Sequence, residues 1–309
     1  MPSVSVVIPA YNAESFVQQA ISSALRQTVV PEEIIVVDDG STDRTREAVE
    51  TFGGRVRYLR QENAGAATAR NTGIARATGT FVAFLDADDC WLPDKTEKQL
   101  QRFAVEPDLA LVYCDKEWVT EAGEVIPYAD APAHLPEGDI FRDLFRANYI
   151  SSASEVIARR EALMEVGLFS TDPRLRNCQD YDLWLRMSAR YRIGVVREKL
   201  VCYRRHPGNA TLHPVRRFVG MQAALNRAAA LGPLSKDDPL VKTRLSTLAA
   251  GFGGGLFHAG EYRWARRAYW SAARTDPSSL SAGGWLRFAL TYLPAALVDR
   301  ARRARQRDG

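Results

Sequence analysis

Short apolar segments alternate with segments of helical periodicity over the first 115 residues, and few folds accommodate this alternation. The apolar segments are rich in Val and Ile, as are parallel strands buried on both faces. The alternation predicts an α/β fold with a doubly wound, mostly parallel, Rossmann-like sheet and right-handed crossovers. The predicted strands are 4–8, 34–37, 56–59, 81–85 and 109–113, and the predicted helices are 13–26, one capped by Ser41 or Thr42, 66–77, and one starting near Pro93.

The pattern changes twice after residue 115. Residues 116–213 are less regular and predict a hairpin around Glu121-Ala122-Gly123, strands at 156–158 and 193–203, and helices at 160–166 and 180–191. From residue 214 onward the sequence is rich in Ala and Arg, and every segment has helical character. We therefore predict an α/β domain over 1–213, with halves of about 1–115 and 116–213, and a helical C-terminal extension over 214–309.

Composition excludes several classes of protein. Hydrophobic residues are 46% and charged residues 25% of the chain, which is ordinary for a globular protein with a substantial core. The net charge of +4 gives no reason to expect nucleic acid as a partner. The four cysteines are scattered, so neither a zinc site nor a disulfide framework is predicted. Because the chain starts directly with a strand segment and without a basic leader, we expect a cytoplasmic protein.

Three predicted strands end in polar segments that should meet at one edge of the sheet. Pro9 ends the first strand before Ala10-Tyr11-Asn12, and the second runs into Asp38-Asp39-Gly40-Ser41. The fourth runs into Asp86-Ala87-Asp88-Asp89, where alternate residues point to opposite faces, so that Asp86 and Asp88 need not share a role. A solvated acidic turn is the alternative for that segment alone. Ligands of open α/β sheets bind beyond the carboxyl ends of strands, so the three ends together predict a site.

The absence of two phosphate-binding motifs limits the classes of ligand that this site could bind. The first strand is not followed by the Gly-x-Gly-x-x-Gly of dinucleotide-binding proteins, and the chain has no P-loop. Clustered carboxylates indicate instead that a divalent cation meets the phosphates, because hard cations bind carboxylate and phosphate oxygens together. Mg²⁺ or Mn²⁺ bridging to a nucleotide diphosphate fits this pattern.

Several blocks, taken in order, resemble glycosyltransferase family 2, whose members are inverting enzymes of the GT-A fold that use nucleotide sugars. The resemblance covers about residues 3–210 and rests on 4–12, 36–43, 69–73, 84–89, 179–186 and 203–209. It implies a transferase that moves a sugar from a nucleotide-diphosphate donor to an acceptor hydroxyl, with 1–115 binding the nucleotide and 116–213 the acceptor. A glycan, a lipid-linked glycan or a small molecule are the acceptors that such an enzyme could use.

The resemblance also implies roles for single residues at the sheet edge. Pro9 and Tyr11, with Ala10 between them, would flank the nucleobase, and Asp39 would accept a hydrogen bond from it. A carboxylate accepts from an imide N–H, which favours a uridine or thymidine nucleotide over cytidine. Asp38 is assigned to a structural role, and Asp89 stays open between a site role and a turn. The remaining implied contacts are Arg70 with the diphosphate, Asp86 and Ala87 with the ribose or sugar, and Asp88 with the metal.

Asp180 is the candidate catalytic base. An inverting transfer is a single displacement, which needs one group to remove the acceptor proton and another to stabilise the leaving diphosphate. Asp180 lies at the predicted start of a helix, where the dipole favours an ionised carboxylate. A simple N-cap is the alternative. The family more often has Glu before this Asp, where this chain has Gln179, so a second carboxylate is missing. His206 resembles a position that approaches the metal or diphosphate, although a surface histidine is equally compatible with its Arg-rich segment.

The C-terminal third lies outside the resemblance. Residues 257–277 resemble one helix pair of tetratricopeptide type, which needs neighbouring helices to bury its apolar face. Residues 280–298 are apolar, but Arg287, Pro294 and Gly283-Gly284 weaken a membrane-spanning interpretation. An interfacial helix over 280–309, with the arginine-rich end attracted to anionic lipid at the cytoplasmic face of the membrane, is one interpretation. A packed helix followed by a solvated tail is the other.

Two competing functions use a similar sheet. A nucleotidyltransferase that makes the nucleotide sugar would carry a Gly-rich, basic phosphate loop after the first strand, and residues 9–12 are not such a loop. A non-catalytic nucleotide-sugar-binding protein has no need for Asp39, Asp86, Asp88 and Asp180 together. The sequence therefore favours a metal-dependent glycosyltransferase.

Overall fold

The computed structural model describes residues 3–127, 134–206, 213–235 and 237–299. The chain forms two compact units. The first contains Met1–Thr171 and Gln179–Asn209, and the second contains Asp172–Cys178 and Ala210–Gly309. The short segment before Gln179 thus belongs with the C-terminal helices, although it is surrounded in sequence by the first unit. The boundary at 213 between two functional domains stays a prediction.

The first unit is built on one eight-stranded sheet with strand order β3-β2-β1-β4-β7-β6-β8-β5. β1, β2, β3 and β4 are parallel, β7 is antiparallel to both of its neighbours, β8 is parallel to β6, and β5 is antiparallel to β8. The predicted α/β fold and mostly parallel sheet are confirmed. The strands are β1 Val4–Ala10, β2 Glu33–Asp38, β3 Arg57–Arg60, β4 Phe81–Phe84, β5 Cys90–Trp91, β6 Leu109–Val119, β7 Val156–Arg159 and β8 Arg192–Arg204.

Helices cover the sheet because its central strands are apolar on both sides. Every residue of β1 is buried. A Cβ added at Gly73 would lie 2.3 Å from Cγ1 of Val7, so the missing side chain lets a helix approach β1 closely. Val6 and Ile8 belong to the core cluster of the other face, together with Val17 and Ile21. The helices of this unit are α1 Val17–Leu25, α2 Thr45–Glu50, α3 Ala66–Arg76, α4 Lys95–Val105, α5 Phe141–Arg146, α6 Arg160–Glu165 and α7 Gln179–Ser188.

Pro9 does not end the first strand, contrary to the prediction. β1 continues to Ala10 and pairs with β2 up to Asp38. On its other side the register with β4 stops at Val7, where the backbone N–H of Leu85 donates to the Val7 carbonyl. A proline costs a ladder hydrogen bond only where a neighbouring strand would accept it. Pro9 lies beyond the point where β4 has ended, so the strand tolerates it.

The prediction that Ser41 or Thr42 caps the second helix is also wrong. α2 starts at Thr45, whose backbone N–H donates to Asp43 Oδ1 at 3.0 Å. The Ser41 hydroxyl accepts instead from the backbone N–H of Asn12 at 2.9 Å. The residues after β2 therefore join the ends of two strands, which is a tertiary contact that local cap preferences do not predict.

The second unit contains the helices α8 Pro214–Leu231, α9 Pro239–His258, α10 Tyr262–Thr275 and α11 Ala282–Leu290, with a further helical turn at 295–299. The predicted range 257–277 contains α10 but only the end of α9, so the helix pair of the structure begins earlier, at Pro239, and turns at Gly260 with φ at +82°. Gly253 of α9 lies against the ring of Tyr269, where a Cβ would be 2.7 Å from Cδ1. Their shared core includes Phe218 of α8 and Phe288 of α11, so neighbouring helices bury the pair. Among the described residues, no helix has the length and apolar character required to cross a membrane.

Candidate active site

The end of β2 carries two buried carboxylates with different partners. Asp38 accepts hydrogen bonds from the Ser41 N–H at 2.8 Å and the Tyr58 hydroxyl at 2.5 Å. Asp39 accepts from Gln61 Nε2 at 2.8 Å and from two backbone N–H groups just before α3, those of Ala64 at 2.9 Å and Gly65 at 2.7 Å. Asp38 therefore fastens β2 to β3. Asp39 fixes the loop before α3, and its Oδ2, which accepts from the Gly65 N–H, keeps a lone pair that a ligand could use.

The end of β1 presents one exposed ring beside this loop. Pro9 and Ala10 are buried, and Ala10 belongs to the hydrophobic core, so that it offers a ligand only its backbone. Tyr11 is 53% exposed. Asn12 adopts a positive φ of 48°, and its Oδ1 accepts from the Thr42 N–H at 2.9 Å. The Asp39 N–H donates to the Ala10 carbonyl at 2.8 Å, so Tyr11 and Asp39 project from adjacent strand ends.

The three acids in the segment after β4 have different partners. The Asp86 carboxylate accepts a hydrogen bond from Nη2 of Arg70 at 2.5 Å. Asp88 Oδ2 lies 3.0 Å from Nε2 of His206, which follows β8. Burial and the charge of Asp86 raise the pKa of Asp88, and His206 partly offsets that shift. Ala87, between the two acids, packs into the core with 7% exposure, so its side chain has no room for a ligand contact.

Asp89 anchors this segment. It is 1% exposed and accepts from the Ser154 hydroxyl at 2.6 Å and from the Arg204 N–H at 3.0 Å. The same Ser154 oxygen accepts from the Asp86 N–H at 3.0 Å. Burial, with the charges of Asp88 and Asp86, raises the pKa of Asp89 well above its ordinary value. These contacts hold Asp89 as a structural acid, which places Asp86 and Asp88.

Arg204 and Ser154 were missed by sequence reasoning. Arg204 is 4% exposed, and its guanidinium donates to the carbonyl of Asp88 at 2.9 Å and to Gln19 Oε1 at 2.9 Å. Both residues come from elements more than 60 positions away from the acids they hold. An arginine in a basic segment and a serine in an irregular region carry no local signal of these contacts. Only the pairing of β8 and the position of the Ala153–Glu155 turn reveal them.

Arg70 is the central cation of the site. It is 9% exposed, its Cζ lies 5.3 Å from the ring centroid of Phe169, and it forms an ion pair with Asp86. Burial alone would lower the pKa of Arg70, but the charges of Asp86, Asp180 and Asp88 raise it above the ordinary value. Because one arginine interacts electrostatically with carboxylates from two segments distant in sequence, the end of β4 and the start of α7 lie near each other.

Asp180 lies in the first turn of α7, where its Oδ1 accepts from the Tyr181 N–H at 2.7 Å. Burial raises the pKa of Asp180 to about 6, against the opposing charge of Arg70 and the Tyr181 hydrogen bond. Burial is thus the largest influence on this carboxylate, and the prediction from the helix dipole did not include it. At pH 7 a group with a pKa near 6 is still about nine-tenths ionised.

Asp88 and His206 lie close enough together that both could contact one cation. Within the described ranges, no group of three or more His, Cys, Asp or Glu residues could hold a metal ion on its own. A cation here would take further ligands from a bound molecule, as Mg²⁺ does when it binds through one or two carboxylates and substrate phosphates. Carboxylate oxygens such as those of Asp88 suit both Mg²⁺ and Mn²⁺. Burial, more than the charge of Asp86, raises the pKa of Asp88, and a cation would stabilise its ionised form.

Comparison with known proteins agrees with this geometry. Residues 5–167 match the family described as Glycosyl transferase family 2. The chain is 36% identical over 189 residues to the putative teichuronic acid biosynthesis glycosyltransferase TuaG of Bacillus subtilis (strain 168), an alignment that covers 60% of this chain and 71% of that protein. It is 31% identical over 238 residues to hyaluronan synthase of Pasteurella multocida, covering 74% of this chain but only 23% of that protein.

Solved structures share the fold. S. aureus TarS 1-349 in complex with UDP-GlcNAc has a TM-score of 0.68 and 19% identity, with 98% of this chain and 92% of that chain covered. The mannosyltransferase PcManGT from Pyrobaculum calidifontis, in complex with GDP-Man and Mn²⁺, has a TM-score of 0.59 and 22% identity, with 98% and 80% covered. The fold is therefore that of GT-A enzymes. The chain belongs to glycosyltransferase family 2 and is a transferase, which decides against the nucleotidyltransferase and non-catalytic alternatives.

Proposed function

We propose that this enzyme transfers a sugar with inversion from a UDP- or dTDP-sugar to an acceptor hydroxyl. The observation that carries the proposal is the position of Arg70 among Asp86, Asp88 and Asp180. Arg70 is close to the carboxylates after β4, which suit a nucleotide diphosphate, and to the buried Asp180 of α7. A single displacement needs both, because one group must stabilise the leaving diphosphate while another removes the acceptor proton.

The nucleotide is assigned to the edge formed by β1 and β2. Tyr11 supplies an exposed ring on which a base can stack, Pro9 is assigned to the other side of the base, and the Asp39 carboxylate accepts from an imide N–H. Uracil and thymine carry that donor, while cytosine does not. The complex of TarS with UDP-GlcNAc, a protein of the same fold, supports a uridine nucleotide.

The diphosphate is assigned to the end of β4, with Asp88 and His206 as the residues that would hold Mg²⁺ or Mn²⁺. When bound, the cation supplies positive charge for the leaving nucleotide diphosphate. Asp86 is assigned to the ribose or sugar hydroxyls and is oriented by Arg70. Arg70 itself adds positive charge on the diphosphate side of the site. The PcManGT complex with GDP-Man and Mn²⁺ supports a cation in this fold.

Asp180 is assigned as the base. Its carboxylate takes the proton of the acceptor hydroxyl as the acceptor oxygen forms a bond to the anomeric carbon. The bond from that carbon to the diphosphate oxygen breaks on the opposite face, which inverts the configuration. A pKa of about 6 suits the role, because the carboxylate is mostly ionised at neutral pH and more basic than an exposed aspartate.

The acceptor is assigned to the half of the enzyme at 116–213, and a growing glycan or lipid-linked glycan is the proposed class. The names of TuaG, a teichuronic acid biosynthesis enzyme, and of hyaluronan synthase support polysaccharide assembly. A nucleotide-sugar donor supplied by metabolism is consistent with work in the cytoplasm, at or near the inner face of the membrane. Nucleic acid has no part in this proposal.

The test uses Asp180→Asn in a nucleotide-release assay over a panel of nucleotide sugars, with and without Mn²⁺. General-base catalysis contributes on the order of 10²–10⁴-fold, so transfer should fall by that factor while Mn²⁺-dependent nucleotide binding is retained. Asp108→Asn is the control. This exposed carboxylate precedes β6 and so lies at the amino ends of the parallel strands, away from the site at their carboxyl ends. Wild-type turnover in Asp180→Asn would overturn the base assignment. Full activity in a chelator would overturn the roles of Asp88 and His206, and NMR of the product anomer decides between inversion and retention.

A further inference from the structure

The second unit exposes a set of large apolar side chains around α10 and α11. The rings of Trp270, Trp285 and Tyr292 all contact the buried ring of Phe288, with centroid distances of 6.3, 6.0 and 5.6 Å. Trp270 is 54%, Trp285 42% and Tyr292 59% exposed. Three leucines of the same segment are about half exposed. We call these six residues the exposed apolar set: Trp270, Trp285, Leu286, Tyr292, Leu293 and Leu297.

Arginines border this set. On α10 the exposed positions 263, 267, 270 and 274 follow helical spacing and lie on one face, so Trp270 has arginines on both sides. The stretch from Tyr262 to Gly309 contains ten arginines, no lysine and three acidic residues. Five of the ten arginines lie at or beyond position 300. Among the described residues, the surface therefore combines bulky apolar groups with the exposed arginines 263, 267 and 274, in a chain whose total charge is only +4.

We propose that this surface binds an anionic lipid bilayer, with α10 and α11 lying at the membrane interface rather than crossing the bilayer. Trp and Tyr favour the headgroup level of a bilayer, because their rings are apolar at one end and polar at the other. Leucine side chains enter the acyl boundary, and arginines above them pair with lipid phosphates. The proposal is independent of the donor and base assignments.

The leucines distinguish this partner from an acidic glycan. Aromatic rings and arginines would also suit a polysaccharide with carboxylates, since rings stack on sugar faces. Half-exposed leucines gain nothing from such a ligand, which keeps their surroundings wet. A bilayer removes all six apolar side chains from water at once, which is the larger gain in free energy. Three large rings gathered around one phenylalanine and all about half exposed are unusual on a protein that meets only solvent.

The first test measures cosedimentation of the full chain with phosphatidylcholine vesicles, with and without phosphatidylglycerol, at low and high salt. Binding should require phosphatidylglycerol and weaken as salt rises, because screening shortens the reach of the charges. The triple variant R263Q/R267Q/R274Q should lose about fivefold in partition coefficient per arginine, or about 100-fold in all. The matched control is R55Q/R57Q/R76Q, which removes three exposed arginines from the first unit and should bind as wild type.

The second test locates the tryptophans. Vesicles with brominated acyl chains should quench the fluorescence of the wild-type chain. The variant W270F/W285F should fold and bind but lose most of that quenching, because phenylalanine preserves the contacts with Phe288. Retention of all quenching in this variant would overturn the proposal.

Two further outcomes also decide against it. The first is equal binding by the two triple-arginine variants, which would mean that total charge rather than this surface drives association. The second is failure to bind vesicles together with retention on an acidic polysaccharide such as polygalacturonate, which would identify a glycan surface instead.

Discussion

At the residue scale, loss of hydration sets the charge state of Asp180. A first-turn aspartate on an exposed helix would have a lowered pKa, because the helix dipole stabilises its anion. In this enzyme burial raises the pKa to about 6, and Arg70 is the neighbour that opposes the shift most. Arg70 therefore acts on two carboxylates, because it pairs with Asp86 and its charge favours the ionised form of Asp180.

The pH dependence of turnover tests this coupling. Because the base must be deprotonated, turnover at saturating donor should fall as the pH drops through about 6. Arg70→Met removes the charge that lowers the pKa of Asp180, so the acid limb of the profile should move to higher pH. Arg76→Met, on an exposed residue of the same helix, should leave the limb in place. A slower Arg70→Met enzyme with an unmoved limb would show that another group titrates.

At the element scale, the short turn Ala153–Glu155 supports the acids after β4. Its Ser154 contacts both Asp86 and Asp89, and its Glu155 is 1% exposed and paired with Lys116 of β6 at 2.7 Å. Burial raises the pKa of Glu155, and Lys116 limits that shift. The Glu155 carboxylate also accepts from the Ser152 N–H at 2.9 Å. The buried ion pair of Lys116 and Glu155 thus holds the turn in place, and that turn holds Asp86 and Asp89 through Ser154.

Replacing Lys116 with Met should therefore damage both stability and donor binding. Removing one partner leaves a buried carboxylate uncompensated, which costs about 3 kcal/mol or more in the free energy of unfolding. The control Lys199→Met breaks the exposed pair with Glu117, which is worth at most about 1 kcal/mol. Urea midpoints give the stabilities, and the KM for the nucleotide sugar should rise in Lys116→Met alone. Equal midpoints for the two variants would contradict the role given to the buried pair.

At the scale of the whole molecule, the chain leaves the first unit just before the proposed base and returns to it. Residues 172–178 belong to the second unit, where Leu175 and Cys178 are 1% and 3% exposed. Gly220 of α8 lies so close to this segment that a Cβ would be 2.8 Å from Cys178 Sγ. The segment leads directly into α7, so the C-terminal helices hold the chain immediately ahead of Asp180.

Truncation after residue 213 should consequently impair catalysis, although it removes only residues outside the family resemblance. It uncovers Leu175 and Cys178, which should lower the melting temperature and the rate of nucleotide release. A chain ending at residue 299 is the matched control and should keep both, because it retains every helix of the second unit that the structure describes. A 1–213 chain with wild-type melting and turnover would show that the C-terminal helices serve another purpose.

Much of this enzyme follows from sequence because its signals are local. The alternation of Val- and Ile-rich strands with amphipathic helices determines a parallel sheet, and the rule that ligands bind at carboxyl ends directs attention to Asp39 and the Asp86–Asp89 segment. Helix bounds were approximate, as with α1, which starts four residues later than predicted. The cap preference of Ser41 gave a wrong prediction, because its hydroxyl accepts from the Asn12 N–H after β1 and not from a helix N-terminus.

The tertiary structure decided what each acid does, since roles depend on partners that are distant in sequence. It made Asp89 an anchor through Ser154 and Arg204, paired Arg70 with Asp86, and brought His206 to Asp88. It also raised the pKa of Asp180 by removing water, an effect that no run of neighbouring residues encodes. Likewise, the sequence marked residues 280–309 as apolar and basic, but only the packing of α10 against α11 brought Trp270, Trp285 and Tyr292 onto the ring of Phe288. Local order follows from local chemistry, while charge states and surfaces follow from what the fold brings together.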